Sequence, residues 1–115
     1  MTTIYSTSHN LAEISLIGGA YRSLVFNGLD VNGTSMIIWG CTATWKLYHL
    51  EGVLDYPVLE KTVYPYGSNY FCIELFVNDT KELSGEYIQQ ISITDFAGKL
   101  HTGGRGKVII LPSAL

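Results

Sequence analysis

Short runs in which apolar and polar residues alternate fill most of the chain, and each run stops at Gly, Asn, Asp or Pro. A period of two puts successive side chains on opposite faces of an extended backbone, so each run is predicted to be a β-strand with one buried face. The predicted strands are Glu13 to Ile17, Tyr21 to Phe26, Ser35 to Ile38, Thr42 to Leu50, Pro57 to Val63, Tyr70 to Val77, Tyr87 to Asp95 and Lys107 to Leu111. The turns between them fall at Gly18-Gly19, Asp30 to Gly33, Glu51-Gly52, Tyr66 to Asn69, Phe96 to Gly98 and Gly103 to Gly106. Those residues supply the positive φ or the local side-chain hydrogen bonds that a chain reversal needs. No helical periodicity stands out, and the whole chain reads as strands and turns.

Two runs show their faces plainly. Phe71, Ile73, Leu75 and Val77 point one way, and Tyr70, Cys72, Glu74 and Phe76 the other. In the run from Thr42, the inward set is Ala43, Trp45 and Leu47, with Thr42, Thr44, Lys46 and Tyr48 outward. A Trp buried on a middle strand is a frequent feature of two-sheet sandwiches. Leu83-Ser84-Gly85-Glu86-Tyr87 predicts a tyrosine corner, in which the Tyr87 phenol bonds back to upstream backbone and Gly85 opens the strand. Trp45, Gly85 and Tyr87 are therefore assigned structural roles. The fold class is all-β, an antiparallel β-sandwich of about seven or eight strands. Residues 11–115 form the one domain, and residues 1–10, polar and without a strand partner, form a flexible N-terminal arm.

Length and composition agree with this. The chain has 115 residues, enough for one core, and 47% hydrophobic against 15% charged residues leaves few charges to cover its surface. Some apolar or aromatic area is expected outside, where it serves contact with other chains. A net charge of −3 with scattered Lys and Arg provides no basic field, which argues against a nucleic-acid partner. No apolar run approaches the roughly 18 residues of a membrane span. The N-terminal stretch lacks a basic segment followed by an apolar one, so the product is expected to be made and kept in a cytoplasm without a secretory signal. Two cysteines are too few for a disulfide framework. Cys41 and Cys72 are expected to face opposite sides of the layers and to be free thiols.

The order and spacing of several segments resemble a family of phage tail and baseplate proteins with an immunoglobulin-like fold, including the N-terminal domain of baseplate upper proteins. The stretches that carry the likeness are Leu29 to Gly33, Trp39 to Leu47, Val58 to Thr62, Asp79 to Tyr87, Ile91 to Gly98 and Gly106 to Pro112. The likeness runs from about Ile14 to Leu111, nearly the whole chain. The chain departs from the pattern at the opening of the second strand, where Gly18-Gly19-Ala20-Tyr21 stands in place of the family's Gly-Asp pair. The resemblance implies a rigid immunoglobulin-like module in a virion, working through contacts with other tail proteins or with copies of itself. It implies no cofactor and no reaction.

The residues give no competing chemistry. His9, His49 and His101 lie too far apart for the short-spaced ligand patterns of zinc sites, so no metal is expected. Ser84 lacks the Gly-x-Ser-x-Gly context of an activated nucleophile and reads as a turn residue. Carboxylate pairs such as Glu51 with Asp55, or Glu82 with Glu86, flank turns and read as solvated charge. Gly103 to Gly106 lacks the Lys-Ser/Thr ending of a phosphate loop and reads as a hairpin or bulge before the last strand. The sequons at Asn32 and Asn78 have no secretion signal beside them.

The aromatic residues are the remaining candidates. Tyr48, Tyr56, Tyr64, Tyr66 and Tyr70 are expected to gather around the connection between two strands, and Phe76 to stand on an outward face. Such a set serves a protein interface, plain packing or the stacking of a sugar on aromatic faces. The expected function is a non-enzymatic structural module of a phage or prophage tail or baseplate, forming oligomers or docking on other virion proteins. The alternative is a carbohydrate-binding module that recognises a host surface glycan through the tyrosine-rich loops.

Overall fold

Seven strands and one helical turn are built from residues 11–28, 34, 36–51 and 56–113, which the computed structural model describes. The expected arm 1–10 with His9, the turn at Asp30 to Gly33, and Ser35, Gly52 and Asp55 lie outside these residues. The strands are β1 (Ile14–Ile17), β2 (Arg22–Asn27), β3 (Thr42–His49), β4 (Leu59–Val63), β5 (Tyr70–Leu75), β6 (Gly85–Thr94) and β7 (Leu100–Leu111), with helix α1 (Val77–Thr80) after β5. One sheet has the order β1-β7-β6-β3-β4 and the other is the pair β2-β5. All pairings are antiparallel except β1 with β7, which run parallel from Ile14 opposite Val108 to Ile17 opposite Leu111.

The alternation is the reason for this layering. On β3 the inward Ala43, Trp45 and Leu47 are buried between partly exposed neighbours, and β6 repeats the pattern with Tyr87, Gln89, Ile91 and Ile93. Phe71, Ile73 and Leu75 of β5 and Leu24 and Phe26 of β2 close the core from the other sheet. Trp45 is fully buried, and its indole N–H donates to the Gln89 side-chain oxygen at 2.9 Å, so the one polar atom it carries inward is satisfied. The Tyr87 hydroxyl donates to the Ser84 carbonyl at 3.0 Å, the predicted tyrosine corner. Gly85 opens β6 at φ +109°, and a Cβ there would meet nothing within 4 Å, so conformation rather than space demands glycine.

Several expectations are corrected. Met36–Ile38 is not a strand: the Met36 N–H donates to the Gly28 carbonyl and the Ile38 N–H to the Ser68 carbonyl, two different partners in place of one ladder. The segment crosses the end of the sandwich with Ile38 buried and Ile37 exposed, which keeps the period of two without a neighbouring strand. The strand from Tyr70 stops at Leu75, two residues early. There the Asp79 carboxylate accepts the Phe76 N–H at 2.8 Å and the Asp79 N–H donates to the Phe76 carbonyl, turning the chain into α1. Val77, expected inside, is exposed on that turn.

Gly103 to Gly106 is not a turn but part of the twelve-residue β7. The register with β6 shifts there, between the pairs Gln90–Arg105 and Ser92–Thr102, so the glycines carry the bulge that was the second reading of this segment. Cys41 is buried, Cys72 lies on the outer side of β5 beside Ser23, and both are free.

Candidate functional site

Strand register decides which loops share an end of the sandwich. Asn27 pairs with Tyr70, Ala43 with Val63, Thr42 with Thr94 and Thr94 with Leu100, so four connections emerge together. They are the segment after β2, the crossing from β4 to β5, the turn from β6 to β7, and the residues leading into β3. Backbone bonds tie them: the Gly28 N–H donates to the Asn69 carbonyl and the Ile38 N–H to the Ser68 carbonyl. This end displays Ile37, Trp39, Tyr64, Tyr66, Phe96 and Leu100, each more than half exposed, between 58% for Trp39 and 80% for Tyr64. Exposed apolar groups gathered at one end of a small domain are the kind of surface on which contacts with other molecules concentrate.

Each part of this end is held from beneath. In the β4–β5 crossing, the Tyr66 and Gly67 N–H groups both donate to the Tyr70 carbonyl, at 3.0 and 3.3 Å. The Tyr66 and Tyr70 rings lie 5.8 Å apart at a 40° tilt. Gly67 lies so close under the Tyr70 ring that a Cβ would sit 2.3 Å from its edge. In the β6–β7 turn, one oxygen of the buried Asp95 accepts the Ala97 N–H at 3.0 Å and the Lys99 N–H at 2.9 Å. The other oxygen lies 2.9 Å from His101 Nε2, also buried. A carboxylate only accepts, so Nε2 carries the shared proton. The His101 contact, followed by the Lys99 and Ala97 N–H groups, holds the Asp95 carboxyl below the usual carboxylate range. Across from the turn, burial and then the Asp95 charge push the Cys41 thiol up, which makes it a packing residue rather than a nucleophile.

The expected tyrosine group is divided by the fold. Tyr64, Tyr66 and Tyr70 share the aromatic end, Tyr70 half-buried. Tyr56 is exposed, but it precedes β4 at the opposite end, where Leu47 pairs with Leu59. Tyr48 is buried, contrary to the outward exposure that alternation gives it, and contributes packing. Phe76 also belongs to the opposite end, beside Tyr21 with ring centroids 5.8 Å apart and under the Lys61 ammonium at 5.3 Å. The reading of the sequence missed Ile37, Trp39, Phe96 and Leu100. A signal was present for two of them, because bulky Phe96 and Trp39 sit in glycine turns where nothing in a strand pattern calls for them.

The opposite end has a shallow depression lined by His49, Leu50, Glu51, Ser84 and Glu86. Three of its lining residues have structural engagements: His49 stacks on Tyr87 at 5.1 Å, the Ser84 carbonyl accepts the Tyr87 hydroxyl, and Glu86 pairs with Lys107 at 2.8 Å. Among the described residues no three His, Cys, Asp or Glu side chains are grouped to hold a metal ion, and no helix is long and apolar enough to cross a membrane.

Architecture places the chain in the class of immunoglobulin-like and fibronectin III-like β-sandwiches. Among solved structures it is similar to the fibronectin(III)-like modules of Clostridium thermocellum CbhA, with a TM-score of 0.51 and 11% identity over 96% of this chain and 99% of that one. The soluble domain of PmoD from Methylocystis sp. ATCC 49242 (Rockwell) aligns at a TM-score of 0.47 and 15% identity, over 85% of this chain and 76% of that one. No protein-family model matches the sequence, and no curated protein matches it. At these identities the likeness is one of fold alone.

Proposed function

We propose that this chain is a non-enzymatic structural module of a phage or prophage virion, a tail or baseplate component that acts through protein contacts made by its aromatic end. The observation that carries the contact role is the cluster of Ile37, Trp39, Tyr64, Tyr66, Phe96 and Leu100 on connections braced by backbone bonds. Connections whose backbone is already braced lose less conformational freedom on docking, so more of the buried apolar area counts toward affinity. The assignment to a virion rests on the sequence resemblance described above. The partner is a second copy or another tail protein, and the protein would be made in the bacterial cytoplasm and carried in the particle.

The test is oligomeric state by light scattering over a wide concentration range, with a Trp39→Ser/Phe96→Ser variant beside the natural chain. A discrete oligomer that dissociates in the variant supports the reading. A monomer at every concentration that also captures no protein from purified tail particles sinks it.

The pair Tyr66 and Tyr70 favours a second reading, a carbohydrate-binding module for a host surface glycan, because two tilted rings, one on the β4–β5 crossing and one at the start of β5, offer a face on which a sugar can stack. A glycan array separates the two readings: sugar binding lost in Tyr66→Ala with the fold intact supports this one, and an array blank for the natural protein removes it.

A further inference from the structure

We propose that the Asp95–His101 pair is an acid-releasable latch on the aromatic end, which holds the β6–β7 turn, and Phe96 with it, against the Trp39–Gly40 turn and so makes contact through this end pH-dependent. The inference rests on the contact reading above, whose regulation it supplies.

The geometry is that of a pin. Asp95 closes the turn with four bonds of its own: its backbone N–H donates to the Lys99 carbonyl at 2.9 Å, its carbonyl accepts the Gly98 N–H at 2.9 Å, and one carboxylate oxygen collects the Ala97 and Lys99 N–H groups. The second oxygen ties the turn to β7 through His101. On the far side, a Cβ on Gly40 would lie 3.1 Å from the Phe96 Cβ. The turn that presents Phe96 is thus seated on the loop that presents Trp39, and one carboxylate sets its shape. The ionisable groups facing Asp95 among the described residues are His101 from β7 and Cys41 from the approach to β3.

Protonating the carboxyl removes charge from the acceptor of three bonds at once. Because His101 and the two amides hold the Asp95 carboxyl low, the latch stays shut at neutral pH and opens as pH falls through that lowered value. Loss of His101 removes the largest of the lowering influences, so the variant's latch opens at a higher pH.

The experiment is residue-resolved amide exchange of the full chain from neutral pH into acid, together with sedimentation of the same samples. The expected result is that the Ala97 and Lys99 amides lose protection while those of Ile91 and Ile93 keep it, and that His101→Gln moves this midpoint upward. In Asp95→Asn, those two amides should exchange roughly 10- to 100-fold faster at neutral pH, the scale of lost charge-assisted bonds. If Asp95→Asn does not fold, the natural chain and His101→Gln still decide the matter. Ala97 and Lys99 amides that exchange only with the core, or a midpoint unmoved by His101→Gln, overturn the latch. Association that persists unchanged through the release overturns its coupling to the surface. Absence of association at any pH, with the amides released as expected, leaves the latch standing and overturns the contact reading instead.

Discussion

At the scale of single residues, three side chains explain why this core has one arrangement. Trp45 brings the largest apolar volume to the interior together with one N–H, and the Gln89 side-chain oxygen on the neighbouring strand accepts a hydrogen bond from it. Trp45→Ala should cost about 3–5 kcal/mol in a denaturant titration, and Gln89→Leu about 1–3 kcal/mol, because it leaves the indole N–H buried without a partner. Tyr87→Phe keeps the ring in place and removes only the bond to the Ser84 carbonyl, so about 1 kcal/mol is expected in the same assay. Gly85→Ala forces a Cβ onto a backbone at φ +109° and should cost about 1–2 kcal/mol even though space for the methyl is open. A neutral Gly85→Ala would remove the conformational argument.

At the scale of elements, the edge of the larger sheet is managed by charge. β4 is an edge strand, and its Lys61 pairs with Trp45 in register, so the side chain points to the inner side. There it meets the Asp79 carboxylate of α1 at 2.7 Å and the Phe76 ring. A charge directed inward from an edge disfavours addition of a further strand, because pairing would bury it. Partial burial pushes the Asp79 carboxyl up, but the Lys61 ammonium and the Phe76 N–H outweigh this and hold it below the usual range. A depressed carboxyl stabilises the fold above its unfolded value and loses that contribution as pH falls through the folded one. Asp79→Asn should therefore flatten the acid side of the stability curve measured by thermal melts from neutral pH downward. Lys61→Val, which turns the edge apolar, should raise the rate of aggregation measured by light scattering. An unchanged rate would mean the edge is protected by something else.

At the scale of the whole molecule, the sandwich sorts its exposed aromatic groups by end. Substitution of Trp39 and Phe96 by Ser together should leave the melting temperature nearly unchanged, since both side chains are already largely solvated, while it removes association. Tyr56→Ser, at the other end, should leave association intact. Equal effects of the two changes would mean that contact is not localised to the aromatic end. The fibronectin III-like likeness supports the scaffold and does not choose the partner, because sandwiches of this class carry unrelated sites on their loops.

The sequence by itself determined what depends on near neighbours. Alternation placed the inward faces of β3 and β5, glycine placed the turns at Gly18-Gly19, Tyr66 to Asn69 and Phe96 to Gly98, and the spacing of Ser84, Gly85 and Tyr87 placed the corner, since each rests on contacts within a few residues. Only the tertiary structure decided the rest. Alternation says that Ile37 and Ile38 face apart but not whether a strand lies beside them, and the apolar run there caps the sandwich end without joining a sheet. A local carboxylate bond at Asp79 ended β5 early, where the apolar pattern ran on. Tyr48 and Tyr64 are close in sequence and belong to opposite ends, while Trp39 and Phe96 are far apart in sequence and seated together. Strand register and the crossing between sheets produce that grouping, and both are set by the packing of the two faces rather than by any one segment.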